Sequence, residues 1–443
     1  MKKTLILLLF FISVSGLFFQ CSSRSGNRES IPQQVKVVAD ENGMKLSIND
    51  EDFFVYGMNW DYFPIGKNFM YNLWEEDDGF IKKALESEMS LLKEIGCNAI
   101  RVYTGIPTRW IEYIYEEYGI YIMLNHSFGR YGLTIQDQWI DPTDYSYSGT
   151  RDVLLNEVTK MAEEYRDTPG LLLYLLGNEN NYGLFWEGDE TENFPPHNDS
   201  VEVMATAMYR LFDEATVTIQ KLDPNHPVAI CNGDLQFIEI IKNECSNADI
   251  FGVNMYRGKS FTNAFTEVKQ ILNKPFLFTE FGGDAFNVLT GSEDQLSQAE
   301  YLVYNWQEII EHAYGMGNTG ISLGGFTFQF SDGWWKYGQT VELDIHNTEA
   351  SWANGGYLND YAEGINNMNE EWFGVCAKGL SNKSGLYPLY PRAAYYVLGD
   401  IHNYNPFEKN STSPNQYFSE INIEEAIQKA ESLQNDQHIV THD

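Results

Sequence analysis

Two glutamates close short apolar runs in this chain. The segment LLLYLLGNE ends on Asn178 and Glu179, and KPFLFTE ends on Glu280, ahead of Phe281, Gly282 and Gly283. A carboxylate is costly inside a buried strand but can work at the strand's mouth, where ligand and solvent meet it. Two such carboxylates can share one reaction if their surroundings push their proton affinities apart. One then gives a proton to a leaving oxygen, and the other, ionised, attacks the carbon that oxygen leaves. That is the chemistry of retaining glycoside hydrolysis, which sets the pair roughly 5–5.5 Å apart, against a wider gap for inversion.

Such a pair needs a frame that brings distant strand ends together. Eight short apolar runs occur, at residues 53–59, 99–103, 120–125, 171–177, 227–232, 250–255, 276–279 and 321–330. Most are rich in β-branched or aromatic side chains and lack strict alternation, as in strands covered on both faces. Amphipathic stretches fall between them, for example at 80–95, 151–165, 201–222 and 295–312, and a last helix is expected at 391–401. Eight strands alternating with helices predict an α/β fold, a (β/α)8 TIM barrel forming one catalytic domain over residues 35–406. A doubly wound open sheet is the alternative; it would bring a Gly-rich phosphate turn after its first strand, and G-x-G-x-x-G is absent there. Residues from 35 read as a hairpin-like lead-in, with turns at Glu41-Asn42-Gly43 and Asn49-Asp50. Long aromatic-rich loops follow strand 4 (182–199) and strand 8 (331–390), both at the C-terminal face of a barrel, with Phe185, Trp186, Trp334, Trp335 and Trp372 among their residues. Asp332, Asp344 and Asp360 in the second loop read as solvated surface. Residues 407–443 read as an acidic C-terminal tail with one short helix at 424–433.

Composition narrows the ligand. The 443 residues carry 29 Lys+Arg against 63 Asp+Glu, a formal charge of −34. Such a surface repels phosphate backbones, which excludes nucleic-acid binding through a basic face and disfavours polyanions. The 27 Phe, 28 Tyr and 10 Trp exclude a disordered chain and suit a neutral, ring-shaped ligand as well as a packed core. At the N-terminus, Lys2 and Lys3 precede an apolar run at 4–19, too short for a comfortable membrane span, and then Cys21. Residues 1–21 resemble a bacterial lipoprotein signal with Cys21 as the lipidated residue; Gln20 stands where a small residue is usual, and ordinary secretion with cleavage after Ser15 is the rival reading. Both export the chain. The first anchors it in the bacterial cell envelope through a lipid at Cys21, with residues 22–34 as a polar tether. The other cysteines, Cys97, Cys231, Cys245 and Cys376, are too few for a disulfide framework in so large a domain, and Cys97 and Cys231 read as buried thiols. With no zinc-like spacing and eight scattered histidines, neither a catalytic metal nor a cofactor is expected.

In barrel order, MKLSINDEDFFVYGMNW at the lead-in, LGNE at strand 4, FGVNMY at strand 6 and FLFTEFG at strand 7 resemble the catalytic domain of the family 2 glycoside hydrolases of clan A. The resemblance covers roughly residues 45–400. NAIRVYTGIP at strand 2 and GGFTFQFSDGWW near strand 8 are similar to the β-1,3-glucanosyltransferases. The resemblance implies that Glu179 is the general acid/base and Glu280 the nucleophile. It also implies that Asn178 bonds the sugar hydroxyl beside the reacting carbon, that Tyr256 holds the nucleophile, and that Arg101 favours its ionised form. His126 would line the same mouth, although a histidine at a strand end is as often a satisfied core residue. The aromatic that stacks on the sugar after strand 8 is Phe328, Trp334 or Trp335. The two sandwich domains that precede the barrel in family 2 are not expected in this chain.

The implied function is a retaining β-glycoside hydrolase acting by double displacement on a β-linked neutral glycan, an oligo- or polysaccharide, with β-glucan expected from the likeness at strands 2 and 8. A transglycosylase using the same two glutamates is the nearest alternative. A glycan-binding lipoprotein without turnover is a second; the presence together of Arg101, Asn178, Glu179, Tyr256 and Glu280 argues against it.

Overall fold

The computed structural model describes residues 33–103, 105–184, 199–336, 338–349, 368–408 and 412–440. The segment with Cys21, the tether up to residue 32, and the loop residues Phe185, Trp186 and Asp360 lie outside the described residues. Gln33 and Gln34, expected in the tether, are bonded into the fold: Gln33 Nε2 donates to Leu171 O at 2.8 Å, and Asn49 N donates to Gln34 O at 2.8 Å.

Eight parallel strands close into a barrel. They are β1 (Val55–Asn59), β2 (Ala99–Val102), β3 (Tyr121–His126), β4 (Leu171–Leu176), β5 (Val228–Gly233), β6 (Ile250–Asn254), β7 (Phe276–Phe281) and β8 (Ser322–Thr327). Each pairs with the next, and β8 pairs with β1, which excludes the open sheet. A helix follows each strand: α1 (Asp78–Glu94), α2 (Thr108–Tyr118), α3 (Ser148–Tyr165), α4 (Asp199–Leu222), α5 (Ile238–Glu244), α6 (Ala264–Ile271), α7 (Gln295–Glu311) and α8 (Ala393–His402).

The barrel has a closed end and a working end. Met123, Leu173, Cys231, Leu277 and Phe326 fill its interior in one buried cluster with Val35, Leu46 and Ile48. The last three come from a three-stranded antiparallel sheet (Val35–Asp40, Gly43–Ile48, Glu51–Phe53), the structural form of the hairpin-like lead-in. Its turn passes so close to the loop preceding β8 that a Cβ on Gly43, at φ +135°, would lie 2.1 Å from Gly320 O. Only glycine fits there, and Met44 N bonds that same carbonyl at 2.6 Å. Apolar side chains therefore seal the N-terminal end, and polar side chains gather at the other.

Residues beyond 407 are not a simple tail. α9 (Pro414–Ser419) and α10 (Ile423–Val440) pack on α7 and α8, burying Phe418, Ala426 and Ala430. Apolar residues are sparse here, and small alanines supply the contact, so the periodic signal is weak. Cys97, Cys231, Cys245 and Cys376 are free and buried. Among the described residues, no helix is long and apolar enough to cross a membrane.

One helix breaks its own pattern. α1 is capped by Asp77, whose Oδ1 accepts from Gly79 N and Phe80 N, and it buries the stripe Ile81, Ala84, Leu85, Glu88, Met89, Leu92. Glu88 is 0% exposed on that apolar face. Trp60 Nε1 donates to its Oε2 at 2.5 Å, and burial pushes its carboxyl up to about 7. Buried Lys378 nearby is pushed down by its own burial to about 8. Between the ordinary 4.5 and about 7, native Glu88 keeps a proton that the unfolded chain has released. Folding therefore takes up a proton, and stability falls as pH rises through that window, by up to about 3 kcal/mol. Chemical denaturation at pH 5 and pH 7 should show this loss in the wild type and a smaller one in Glu88→Gln, which keeps an acceptor for Trp60.

Candidate active site

A buried guanidinium organises the open end of the barrel. Arg101, fully buried on β2, donates through Nη1 to Glu280 Oε1 at 2.8 Å, Thr279 O at 3.2 Å and Asn254 Oδ1 at 3.3 Å. Its Nη2 donates to Asn178 Oδ1 at 2.7 Å and Asn125 Oδ1 at 2.8 Å, and its Nε to Asn125 Oδ1 at 3.1 Å. Burial works against the charge, but the Glu280 carboxylate and the surrounding acceptors offset it and leave the group more basic than usual. Four side chains thus turn toward a single cation: Asn125 from β3, Asn178 beyond β4, Asn254 from β6 and Glu280 from β7, which also supplies the Thr279 carbonyl.

Three donors converge on Glu280. Arg101 and the Tyr103 hydroxyl donate to Oε1, and the Tyr256 hydroxyl donates to Oε2 at 3.0 Å. This carboxylate is 9% exposed as a side chain, and it opens on a cavity of about 700 Å3 that Glu179, Asn178 and Tyr256 also line. A carboxylate with donors on both oxygens and one face open is shaped to attack a bound carbon.

The turn after β4 presents Glu179. Gly177 is left-handed at φ +86°, and Glu179 is too, at φ +57°. A Cβ on Gly177 would meet Asn180 Oδ1 at 2.6 Å and Phe212 at 2.9 Å. Asn180 Oδ1 accepts from Asn178 N, and its Nδ2 donates to Ser127 O, Phe128 O and the Tyr145 hydroxyl. Asn181 exchanges two hydrogen bonds with the backbone of Gly233 on β5. A non-glycine residue held left-handed costs on the order of 1 kcal/mol, which these bonds offset.

A family model described as glycosyl hydrolases family 2, TIM barrel domain, matches residues 75–314. The chain belongs to this family. The β-galactosidase of Lactococcus lactis subsp. lactis (strain IL1403) is 26% identical over 164 residues, 36% of this chain and 15% of that protein. Among solved structures, a family 2 β-galacturonidase from Eisenbergiella tayi aligns with TM-score 0.50 and 15% identity over 84% of this chain and 54% of its own. β-Glucuronidase 3 of Bacteroides uniformis aligns with TM-score 0.51 and 17% identity over 84% and 40%. At these identities the structures speak for the fold. The chain spans only a small part of the β-galactosidase and about half of the solved chains.

In this family 2 barrel, the matched stretch starts after β1 and stops before β8. Asp61, Phe63 and Phe69 from beyond β1, and Phe328, Trp335 and Lys378 from beyond β8, line the cavity from outside it. Among the residues expected at the site, Arg101, Asn178, Glu179, Tyr256 and Glu280 come together. Trp335 lines the cavity against Phe63 and Phe69, and Phe328 lines it against Phe373. Trp334 does not line it: its ring stacks on His346, which stacks on Trp372, so it packs the loop. His126 does not line it either. Its Nδ1 accepts from Phe128 N at 3.1 Å and its Nε2 lies 3.4 Å from Glu157 on α3. Successive strand residues face opposite sides, so Asn125 points to the axis and His126 away from it. Asp332, expected as solvated surface, is 1% exposed in a two-point ion pair with buried Arg392 at 2.7 Å; Asp344 is exposed as expected.

Tyr103, Asn59, Asn125 and Asn254 were not expected at the site. Asn59 and Asn254 end β1 and β6, Asn125 is next to last in β3, and Tyr103 follows β2, so a polar residue at a strand's C-terminal end was the available signal. Gly177→Ala tests the turn: with neither the left-handed backbone nor the space for a Cβ available, denaturant unfolding should show a loss of about 1–3 kcal/mol.

Proposed function

We propose that this protein is a retaining β-glycosidase whose substrate is a neutral β-linked glycoside, with β-galactosides the first to test. The observation that carries this is Glu280 on β7, clamped by Arg101, Tyr103 and Tyr256, opening on one cavity with Glu179 on the turn after β4. Glu280 forms a bond to the anomeric carbon as Glu179 protonates the departing oxygen. Glu179 then takes a proton from water, whose oxygen displaces Glu280.

Charge supports a neutral sugar. Among the described residues, six carboxylates line the cavity: Asp61, Glu179, Asp234, Glu280, Asp332 and Glu370. Three form ion pairs with arginine: Glu280 with Arg101, Asp332 with Arg392 and Asp234 with Arg257. The others share the lining with Lys378, whose Nζ already donates to Phe63 O at 2.8 Å and whose charge burial disfavours. Among the described lining residues carboxylates outnumber lysine and arginine side chains six to one, a composition that favours a neutral sugar over a uronate. The relative that is 26% identical over 164 residues is named a β-galactosidase, and none of the relatives named above is a glucanase, so the β-glucan expectation gains nothing from them.

The cavity also has a platform for a second sugar. Trp139 lines it while remaining 63% exposed, on a hairpin of Leu133–Ile135 and Gln138–Ile140. Its indole packs close to Gly132, where a Cβ would sit 2.7 Å from Cζ2, and most of the side chain stays exposed beside the cavity.

Glu280→Gln should abolish turnover of an aryl β-galactoside, and Glu179→Ala should lower it roughly 10²–10⁴-fold. Added azide should restore the Glu179→Ala variant by giving the β-galactosyl azide; an α-product would mean inversion. The wild type should favour the β-galactoside over the β-glucuronide by about tenfold or more in kcat/KM, a like charge in the cavity costing at least about 1.4 kcal/mol. Trp139→Ala should raise KM for β-linked oligosaccharides about tenfold and leave aryl glycosides little changed.

A further inference from the structure

Tyr103 has one proton and two acceptors. Its hydroxyl donates to Glu280 Oε1, and it also stands 2.9 Å from Asn59 Oδ1. The Asn59 amide cannot turn to offer a donor instead. Its Nδ2 already points to the carbonyls of Thr279 and Phe326, each at 3.1 Å, and carbonyls only accept. The Tyr103 ring is itself fixed by the Arg101 guanidinium, 4.4 Å from its centroid. Burial and the Glu280 carboxylate push the phenol well up, so it keeps its proton throughout.

We propose that Tyr103 is a positioning residue whose hydrogen bond follows the charge on Glu280, resting on the carboxylate in the free enzyme and moving to Asn59 in the glycosyl-enzyme. This deepens the retaining-glycosidase reading and rests on it. Oε1 already accepts from Arg101 and Tyr103, whereas Oε2 accepts from Tyr256, so Oε2 is the oxygen that bonds to the anomeric carbon. When that bond forms, the bond to the leaving oxygen breaks and Glu179 supplies its proton. Oε1 becomes the carbonyl of a neutral ester. A hydrogen bond to a charged acceptor is about twice as strong as one to a neutral one. The Tyr103 hydroxyl therefore loses its preference for Oε1, and the Asn59 amide oxygen, a better acceptor than an ester carbonyl, takes it. When water displaces the ester, the carbon–Oε2 bond breaks, Glu179 accepts the water's proton, and negative charge returns to Glu280. The hydroxyl swings back and stabilises the departing carboxylate. No proton is transferred from Tyr103 at any point. The device aids release of the nucleophile more than its attack, and it spares the intermediate an unsatisfied buried hydroxyl.

The test compares steps with Tyr103→Phe on the intact chain. A 2,4-dinitrophenyl β-galactoside leaves easily, so breakdown of the intermediate limits its turnover. On it, kcat should fall about 10- to 100-fold, with a burst of dinitrophenolate equal to the enzyme present. Its kcat/KM, which reports attack, should stay within about threefold of wild type. Equal falls in kcat and kcat/KM with no burst would show a merely structural role and overturn the proposal. As a second probe, 2,3-difluorotyrosine in place of Tyr103 keeps the ring and the bond but donates more strongly. It should raise kcat on the dinitrophenyl substrate, and an unchanged or lower kcat also overturns the proposal. A wild type that turns over no glycoside would instead remove the glycosidase reading, and this one with it.

Discussion

A guanidinium taken out of water must find an acceptor for every N–H it carries, and Arg101 sits fully buried at the axis of the barrel. The loss of hydration is large enough that nothing short of several well-placed acceptors offsets it. Strands β3, β6 and β7 and the turn after β4 supply them, and in doing so they are drawn to one point. Asn125 in turn donates to the carbonyls of Leu175 and Gly177, so the acceptors of Arg101 also hold the turn that carries Glu179. Electrostatic necessity at one residue thus sets the positions of the two carboxylates from strands far apart in sequence.

The barrel makes this arrangement possible by dividing its two ends. Apolar residues from the N-terminal sheet seal one end, which leaves the polar layer at the other dry below and open above. A dry, polar layer strengthens each hydrogen bond within it. The aromatic walls from β1 and β8 then narrow the opening without entering the network. They come from segments outside the stretch that matches the family, which holds Glu179, Glu280 and Arg101.

Glu179 and Glu280 are legible in sequence because a carboxylate after a run of apolar residues is chemically conspicuous. Asn59, Asn125 and Asn254 occupy comparable places, yet a neutral amide suggests no reaction until its neighbours are known. Asn125 and His126 show the limit most clearly. They are adjacent, both polar, and both near a strand end, and the alternation of the strand turns only the first toward Arg101. Asp332 reads as a surface residue because its partner, Arg392, stands 60 positions away; only the fold brings the two together and buries them.

The sequence by itself determined the eight barrel strands and their alternation with helices, because the period of apolar residues reports local backbone geometry and burial. It also determined the two carboxylates and the strands that bear them. Only the tertiary structure decided which polar side chains share one hydrogen-bond network, that Trp335 faces the cavity while Trp334 packs in its loop, and that residues beyond 407 join the barrel's shell. Those outcomes depend on distances between residues remote in the chain, and no local pattern encodes a distance of that kind.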